Sequence, residues 1–272
     1  MYILYIIIFM FKEYKLEILY RDNYIIVINK PSGLLVHKSM IDRHEIYYAM
    51  KMLRDQIGGA WVYPVHRLDK PTSGVLLFAL DSQTARIMSE QFKAHTIEKR
   101  YLAVVRGYCE PSGIIEHALK EKLDKIADKE SKKDKDAQEA LTYYKCLATV
   151  EIEKAVGRYP QTRYSLVELI PKTGRKHQLR RHMKHINHHI LGDTKYGRGE
   201  HNKFIRKEYD VYRLLLHCIS LEIKHPYKEE KLLFEASLDT TFEKLFKEFG
   251  WKSRVKFTNN NLKREENEPR DK

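Results

Sequence analysis

The strongest constraint in the chain is a run of six apolar residues, Val75-Leu76-Leu77-Phe78-Ala79-Leu80, entered through His66-Arg67-Leu68-Asp69-Lys70-Pro71-Thr72-Ser73-Gly74. The run is rich in β-formers, too short for a typical helix and preceded by Pro71 and Gly74, so it predicts a buried strand behind a turn. Asp69 then lies in the turn at the mouth of that strand. A rigid strand fixes such a residue while the loop keeps it accessible, which is where chemistry tends to be placed. Arg67 and Lys70 flank it, and nearby positive charge favours the anion. An Asp in a turn is also a common turn former that bonds its own backbone, so this stretch alone leaves a structural and a chemical reading open.

The formal net charge of +13 over 272 residues points to a polyanionic partner, because Lys and Arg gain affinity by releasing counterions from phosphates. Cys109, Cys146 and Cys218 are far apart and in no Cys-x-x-Cys spacing, which argues against a disulfide framework or zinc ribbon and suits a reducing cytosol. The apolar stretch from Met1 to Phe11 is shorter than the roughly 18 residues that span a bilayer. It also lacks a basic n-region and a cleavage site. It reads either as a weak interfacial anchor or as an extension ahead of a start at Met10, and no stable membrane association is expected.

Two short strands, Leu16 to Tyr20 and Tyr24 to Ile28, are expected around the turn Arg21-Asp22-Asn23. A helix is expected from Glu45 to Gln56, ended by Gly58-Gly59, and a strand from Trp61 to Val65. Asp81 or Ser82 caps a helix to about His95, with Ala85, Met88 and Phe92 on a core face. Strands follow at Ile97 to Gly107, Ala140 to Ala148 and Thr162 to Leu169, with Gly157-Arg158-Tyr159-Pro160 as a loop between the last two. Lys120 to Asp136 is rich in lysine and acid and reads as a solvated loop. A helix from Lys176 to Ile186 places His177, Arg180, Arg181 and Lys184 on one side. Strands at Leu214 to His217 and Leu221 to Ile223 and a helix from Leu238 to Phe249 close the fold. The domain boundaries expected are an N-terminal extension at 1–14, one catalytic domain at 15–251 and a polar tail at 252–272. His182, His185, His188 and His189 invite a metal reading. Zinc usually wants a tight ligand set with a carboxylate or thiolate and a supporting shell, which the sequence does not supply, and no metal is expected.

His66-Arg67-Leu68-Asp69-x-x-Thr72-Ser73-Gly74 with its following strand resembles the signature of the pseudouridine synthases of the large-ribosomal-RNA and tRNA-modifying branch. Three further segments match in the same order: Lys30-Pro31-Ser32-Gly33-Leu34-Leu35-Val36-His37; Lys99-Arg100-Tyr101-Leu102-Ala103-Val104-Val105; and Gly174 to His182 followed by Leu191-Gly192-Asp193-Thr194-Lys195-Tyr196-Gly197. Four ordered matches over about Leu16 to Trp251 carry far more weight than one short pattern.

The resemblance implies an α+β fold, a central mostly antiparallel sheet flanked by helices and loops with an RNA-binding cleft. It implies an isomerase that detaches uracil from its sugar, turns it and rejoins it through carbon 5, a reaction needing neither a redox cofactor, a nucleotide nor a metal. On the same basis Asp69 is the nucleophile, with attack on sugar or base left open, and Arg180 orients it. Tyr101 stacks on the extruded base and takes part in proton transfer. Leu179 gives the base an apolar contact, and Arg67 helps extrude it or holds the flanking phosphate. His66 and Lys176 are placed with the substrate-side residues, His66 chiefly shaping the loop together with Thr72 and Ser73. The first motif is expected to be structural.

Segments at Glu121 to Asp128, Thr142 to Tyr144, Ala155 to Arg163 and Phe249 to Trp251 are similar to the part of the branch that acts on tRNA at uridine 65. The expected partner is tRNA, and the expected state a cytoplasmic monomer. The alternatives are ribosomal RNA or another tRNA position, a non-catalytic RNA-binding protein, and a hydrolase pairing Asp69 with Asp193.

Overall fold

The computed structural model describes residues 15–38, 44–120, 136–252 and 255. The expectations for 1–14, for most of the Lys120 to Asp136 stretch and for nearly all of the C-terminal tail lie outside the described residues. Among the described residues ten strands form one sheet: β1 Glu17–Arg21, β2 Ile25–Lys30, β3 Tyr63–Pro64, β4 Ser73–Ala79, β5 Glu98–Arg106, β6 Ser112–Glu116, β7 Leu141–Ile152, β8 Thr162–Pro171, β9 Leu216–Lys224 and β10 Lys231–Glu235. The helices are α1 Ala49–Gln56, α2 Ser82–Lys93, α3 Gln178–His185, α4 Gly199–Tyr209 and α5 Thr240–Glu248.

The sheet order is β1-β2-β4-β9-β5-β8-β7-β6, with β10 also paired to β9 and β3 to β4. Every pairing is antiparallel except β4 with β9, where Ser73 meets His217 and Gly74 meets Cys218. The expectation of a mostly antiparallel α+β sheet therefore holds.

Side chains alternate along a strand, and β5 shows what that does here. Tyr101, Ala103 and Val105 join a core under α1, α2 and α3, whereas Leu102 and Val104 join a second core with Ile205 of α4 and Phe242, Leu245 and Phe246 of α5. Helices thus cover both faces, and every residue of β4 is buried. That is why its sequence is continuously apolar rather than alternating.

Asp81 caps α2 by accepting from the Thr84 backbone N–H at 2.8 Å, as expected. Several boundaries differ from expectation. The first helix begins at Ala49 rather than Glu45, and the Trp61 to Val65 strand shrinks to Tyr63–Pro64. The two short strands expected at Leu214 to His217 and Leu221 to Ile223 are one continuous strand, β9, with Cys218 and Ser220 between them buried in the sheet. The elements β6, α4 and β10 had no counterpart in the sequence reading.

Candidate active site

The loop that carries Asp69 is strapped from two sides. Its own turn closes through the Thr72 N–H to the Asp69 carbonyl at 3.0 Å. The segment Lys30 to Leu34 then ties on: the Gly33 N–H donates to the Lys70 carbonyl at 2.9 Å and the Ser32 hydroxyl to the Pro71 carbonyl at 2.7 Å. Lys30 is fully buried, and its Nζ donates to the carbonyls of Pro31, Leu34 and Lys70 at 2.8, 2.7 and 3.2 Å. Burial pulls its ammonium down to about 7, and Arg213 adds to that while Asp69 opposes it. Three carbonyl acceptors favour the charged form, which alone has three protons to give.

Gly74 explains how the loop enters the sheet. Its φ is +110°, and a Cβ there would sit 2.1 Å from the Cys218 carbonyl oxygen. Only a residue with no side chain lets β4 lie against β9 at this point.

Arg180, on α3, sits between two carboxylates. Its Nε and Nη2 donate to Asp193 Oδ2 and Oδ1, each at 2.8 Å, and its Nη1 donates to Asp69 Oδ2 at 3.1 Å. Asp193 Oδ1 also accepts the N–H groups of Lys195 and Tyr196 at 2.9 Å. Burial alone would raise the Asp193 carboxyl, but the Arg180 contacts and these N–H groups outweigh it and hold the carboxyl below its ordinary value. Both oxygens of Asp193 are thus committed within its own corner of the site, so Asp193 is not a free second acid for the hydrolase reading.

His177 does not join α3 as expected. It stands at the helix N-cap in the left-handed region, φ 57°. That turn brings its Nδ1 to the Tyr196 hydroxyl at 2.9 Å and its Nε2 to 3.8 Å from Asp69 Oδ1. A carboxylate beside Nε2 favours the tautomer protonated there, so the Tyr196 hydroxyl donates to Nδ1. Burial lowers the His177 pKa, against the pull of Asp69.

Tyr101 faces the same space from β5, opposite Cys218 of β9, where the register shifts between Arg100 and Tyr101. A shift of this kind re-aims the side chains next to it. Burial pushes the phenol well above its ordinary value, and the neighbouring Cys218 thiol, which it meets through a hydrogen bond, and Asp69 push the same way.

One cavity of about 890 Å³ is lined by all seven nominated residues, Asp69, Tyr101, Arg180, Arg67, Leu179, His66 and Lys176. Arg67 and Lys176 are exposed at its rim. His66 is locked: its Nε2 accepts the Leu77 N–H at 3.0 Å, its ring stacks on Phe92 with centroids 4.6 Å apart, and burial pushes its pKa down to about 3. It is a neutral brace between loop and strand, not a cation for phosphate. Lys99, His177 and Tyr196 were given no role in the site by sequence reasoning. The last two are readable only as members of the third motif, and Lys99 only as a neighbour of Tyr101.

Three of the four histidines that invited a metal reading are hydrogen-bonded within the protein. His182 bonds Thr142 Oγ1 at 3.0 Å and the His117 carbonyl at 3.1 Å. His188 bonds the Arg106 carbonyl at 2.9 Å and His189 the Tyr196 carbonyl at 2.6 Å.

A family model for RNA pseudouridylate synthase matches residues 24–185, more than half of the chain. The chain belongs to that family. It is 53% identical over 237 residues to the tRNA pseudouridine synthase C of Vibrio parahaemolyticus, covering 87% of this chain and 96% of that one. It is 55% identical over 237 residues to the protein of the same name from Haemophilus ducreyi, covering 87% and 97%. Among solved structures it resembles Human RNA Pseudouridylate Synthase Domain Containing 4, with a TM-score of 0.65 and 27% identity over 86% of this chain and 93% of that one. As a pseudouridylate synthase the chain is an isomerase, and the resemblance stated from its four motifs is borne out.

Proposed function

We propose that this pseudouridylate synthase acts on tRNA, converting one uridine to pseudouridine with Asp69 as nucleophile. The observation that carries the reading is the Asp69 carboxylate, held by Arg180 at 3.1 Å, facing a cavity of about 890 Å³ in a chain of this family. That volume falls in the range of sites that enclose a small organic group. A uridine reaches it only when extruded from its helix. Relatives named tRNA pseudouridine synthase C, at 53% and 55% identity, support tRNA as the substrate. The proposed target is uridine 65, on the resemblance of the segments described from the sequence.

In the reaction the bond from C1′ to N1 breaks, the uracil turns, and C1′ bonds to C5. The proton on C5 leaves and N1 gains one, so nothing is added or lost overall. Asp69 is the nucleophile, oriented by Arg180, whose charge and donors hold the carboxylate in place. Tyr101 packs on the base; since its phenol stays protonated, it serves proton transfer by handing on its own proton as it receives another. Leu179 closes the apolar side, and Arg67 and Lys176 at the rim meet the phosphates beside the extruded nucleotide. Residues 15–251 act as one catalytic domain, and the protein works as a cytosolic monomer. Among the described residues no helix is long and apolar enough to cross a membrane.

The test is incubation with unmodified tRNA transcripts and mapping of pseudouridine by carbodiimide treatment and primer extension, beside Asp69→Ala and a transcript with cytidine at position 65. Pseudouridine at one position with the natural chain, and a loss of at least about 10³-fold with the variant, is expected. Modification of ribosomal RNA alone would overturn the tRNA reading.

A further inference from the structure

Next to the large cavity, and sharing Leu119 and Arg181 with it, lies a second hollow of about 220 Å³. Arg181, Lys184 and His185 reach it from α3, His117 from the residue after β6, and Tyr196 from the loop beyond α3. Among the described residues no carboxylate pairs with Arg181 or Lys184, although other surface cations of this chain find one, as Lys51 does with Asp55. The rings of His117 and His185 stack face to face, with centroids 3.7 Å apart and planes 14° from parallel. Behind them His182 is held by Thr142 and by the His117 carbonyl, and burial keeps it neutral, with its pKa pulled down to about 4.

Arg181 and Lys184 repel across one hollow and gain nothing from folding, with two imidazole rings lining it beside them. An anion relieves both cations and meets the imidazoles as donors. The hollow opens beside the space where the target nucleotide would sit, so the anion best placed to arrive there belongs to the same strand.

We propose that this hollow holds a backbone phosphate of the substrate RNA next to the extruded nucleotide, and that His117, stacked on His185 at its wall, makes the contact pH-dependent. This inference rests on the RNA-modifying reading given above. The charges bearing on His117 are those of His185 and Arg181, which disfavour its protonation along with burial. Lys184 lines the same hollow from α3, Tyr196 contributes a neutral phenol, and Glu139 is an exposed carboxylate on the segment paired to His117 through the Ala140 carbonyl. Burial first, then His185 and Arg181, hold a proton off His117, and a phosphate in the hollow offsets them. RNA binding therefore takes up a proton as the pH falls toward 6.

The experiment is anisotropy titration of a labelled unmodified tRNA transcript with the full chain at pH 6.0 and 7.5 over a series of salt concentrations. It is run alongside His185→Asn, His117→Asn, Lys184→Ala and Arg181→Ala, with pseudouridine formation measured for each. The natural chain should bind several-fold more tightly at pH 6.0. The histidine variants should lose most of that gain, and Lys184→Ala or Arg181→Ala should lower the slope of log affinity against log salt by about 1. Lys184 and His185 are exposed, so their variants keep the test alive should the other two fold poorly. An unchanged salt slope and pH response in variants that still modify RNA would overturn the phosphate site. Absence of pseudouridine from every RNA tried with the natural chain would instead overturn the functional reading.

Discussion

Asp193 grips the two nitrogens of Arg180 that point away from Asp69, leaving the third to hold the candidate nucleophile. The arginine is therefore pinned before it orients anything. A bidentate fork on one side fixes the plane of the guanidinium, and that plane decides where Asp69 points.

Asp193→Asn tests this arrangement. The amide offers one acceptor oxygen in place of two and brings a donor against a donor. Because Asp193 and Arg180 are almost wholly buried, the variant should lose about 3 kcal/mol in urea unfolding. Turnover should fall about 10- to 100-fold with a much smaller change in KM, since the loss is of positioning rather than of RNA contact. Unchanged turnover in a folded variant would show that Arg180 needs no anchor.

Gly74 and Gly33 form a matched pair for measuring close approach. Both have positive φ, +110° and +84°, yet a Cβ on Gly33 meets nothing within 4 Å while one on Gly74 collides with the Cys218 backbone. Gly33→Ala should cost only the left-handed penalty, roughly 1 kcal/mol. Gly74→Ala should cost about 3 kcal/mol or more, because strand separation is added to backbone strain. Equal melting temperatures for the two variants would refute the argument.

Acid should weaken the fold through its buried histidines. Burial pushes His66 down to about 3 and His182, His201 and His217 each to about 4. His217 shows why: its Nδ1 faces the Ser73 hydroxyl at 2.7 Å, which itself accepts from Arg213 at 2.7 Å, and its Nε2 donates to the Ala236 carbonyl at 3.2 Å. A proton on Nδ1 would turn the Ser73 hydroxyl from donor to acceptor while the guanidinium already points at it. Each folded pKa lies below that of a free histidine, about 6.5, so the unfolded chain binds the extra protons. The stabilisation is complete above about pH 6.5 and is lost as the pH falls toward 4. Urea midpoints at pH 7.0, 6.0 and 5.0 should decline steadily, and His217→Gln should flatten the decline by up to about 1 kcal/mol per pH unit. A constant midpoint across that range would contradict it.

The sequence made the core of the site readable because the motif residues lie beside strong local signals. β4 announces itself as an apolar run, Asp81 as the cap that follows it, and Asp69 as a turn residue just ahead of it. What stayed hidden depends on distant contacts. His66 looked like a substrate-side residue because nothing local reveals that the Leu77 N–H donates to it. His177 looked like the first turn of a helix, whereas its tie to Tyr196 draws it into the left-handed region. Asp193 was considered only as a second acid, since its bond to Arg180 spans thirteen positions, from α3 to the loop beyond it. The helix α4 escaped notice because its run, Gly199–Tyr209, is mostly polar and its N-cap Arg198 makes no side-chain capping bond.

The place of β9 in the sheet has a consequence for how this chain is made. It lies between β4 and β5, yet it is synthesised after both of them and after every strand of the β5-β8-β7-β6 half. From the completion of β8 at Pro171 until Leu216 emerges from the ribosome, the nascent chain carries two half-sheets with their inner edges unpaired. Open edges of this kind are templates for pairing with other chains. A ribosome stalled between those points would therefore release a product prone to aggregate, and the last strand to enter the middle of the sheet is the one that makes the molecule safe.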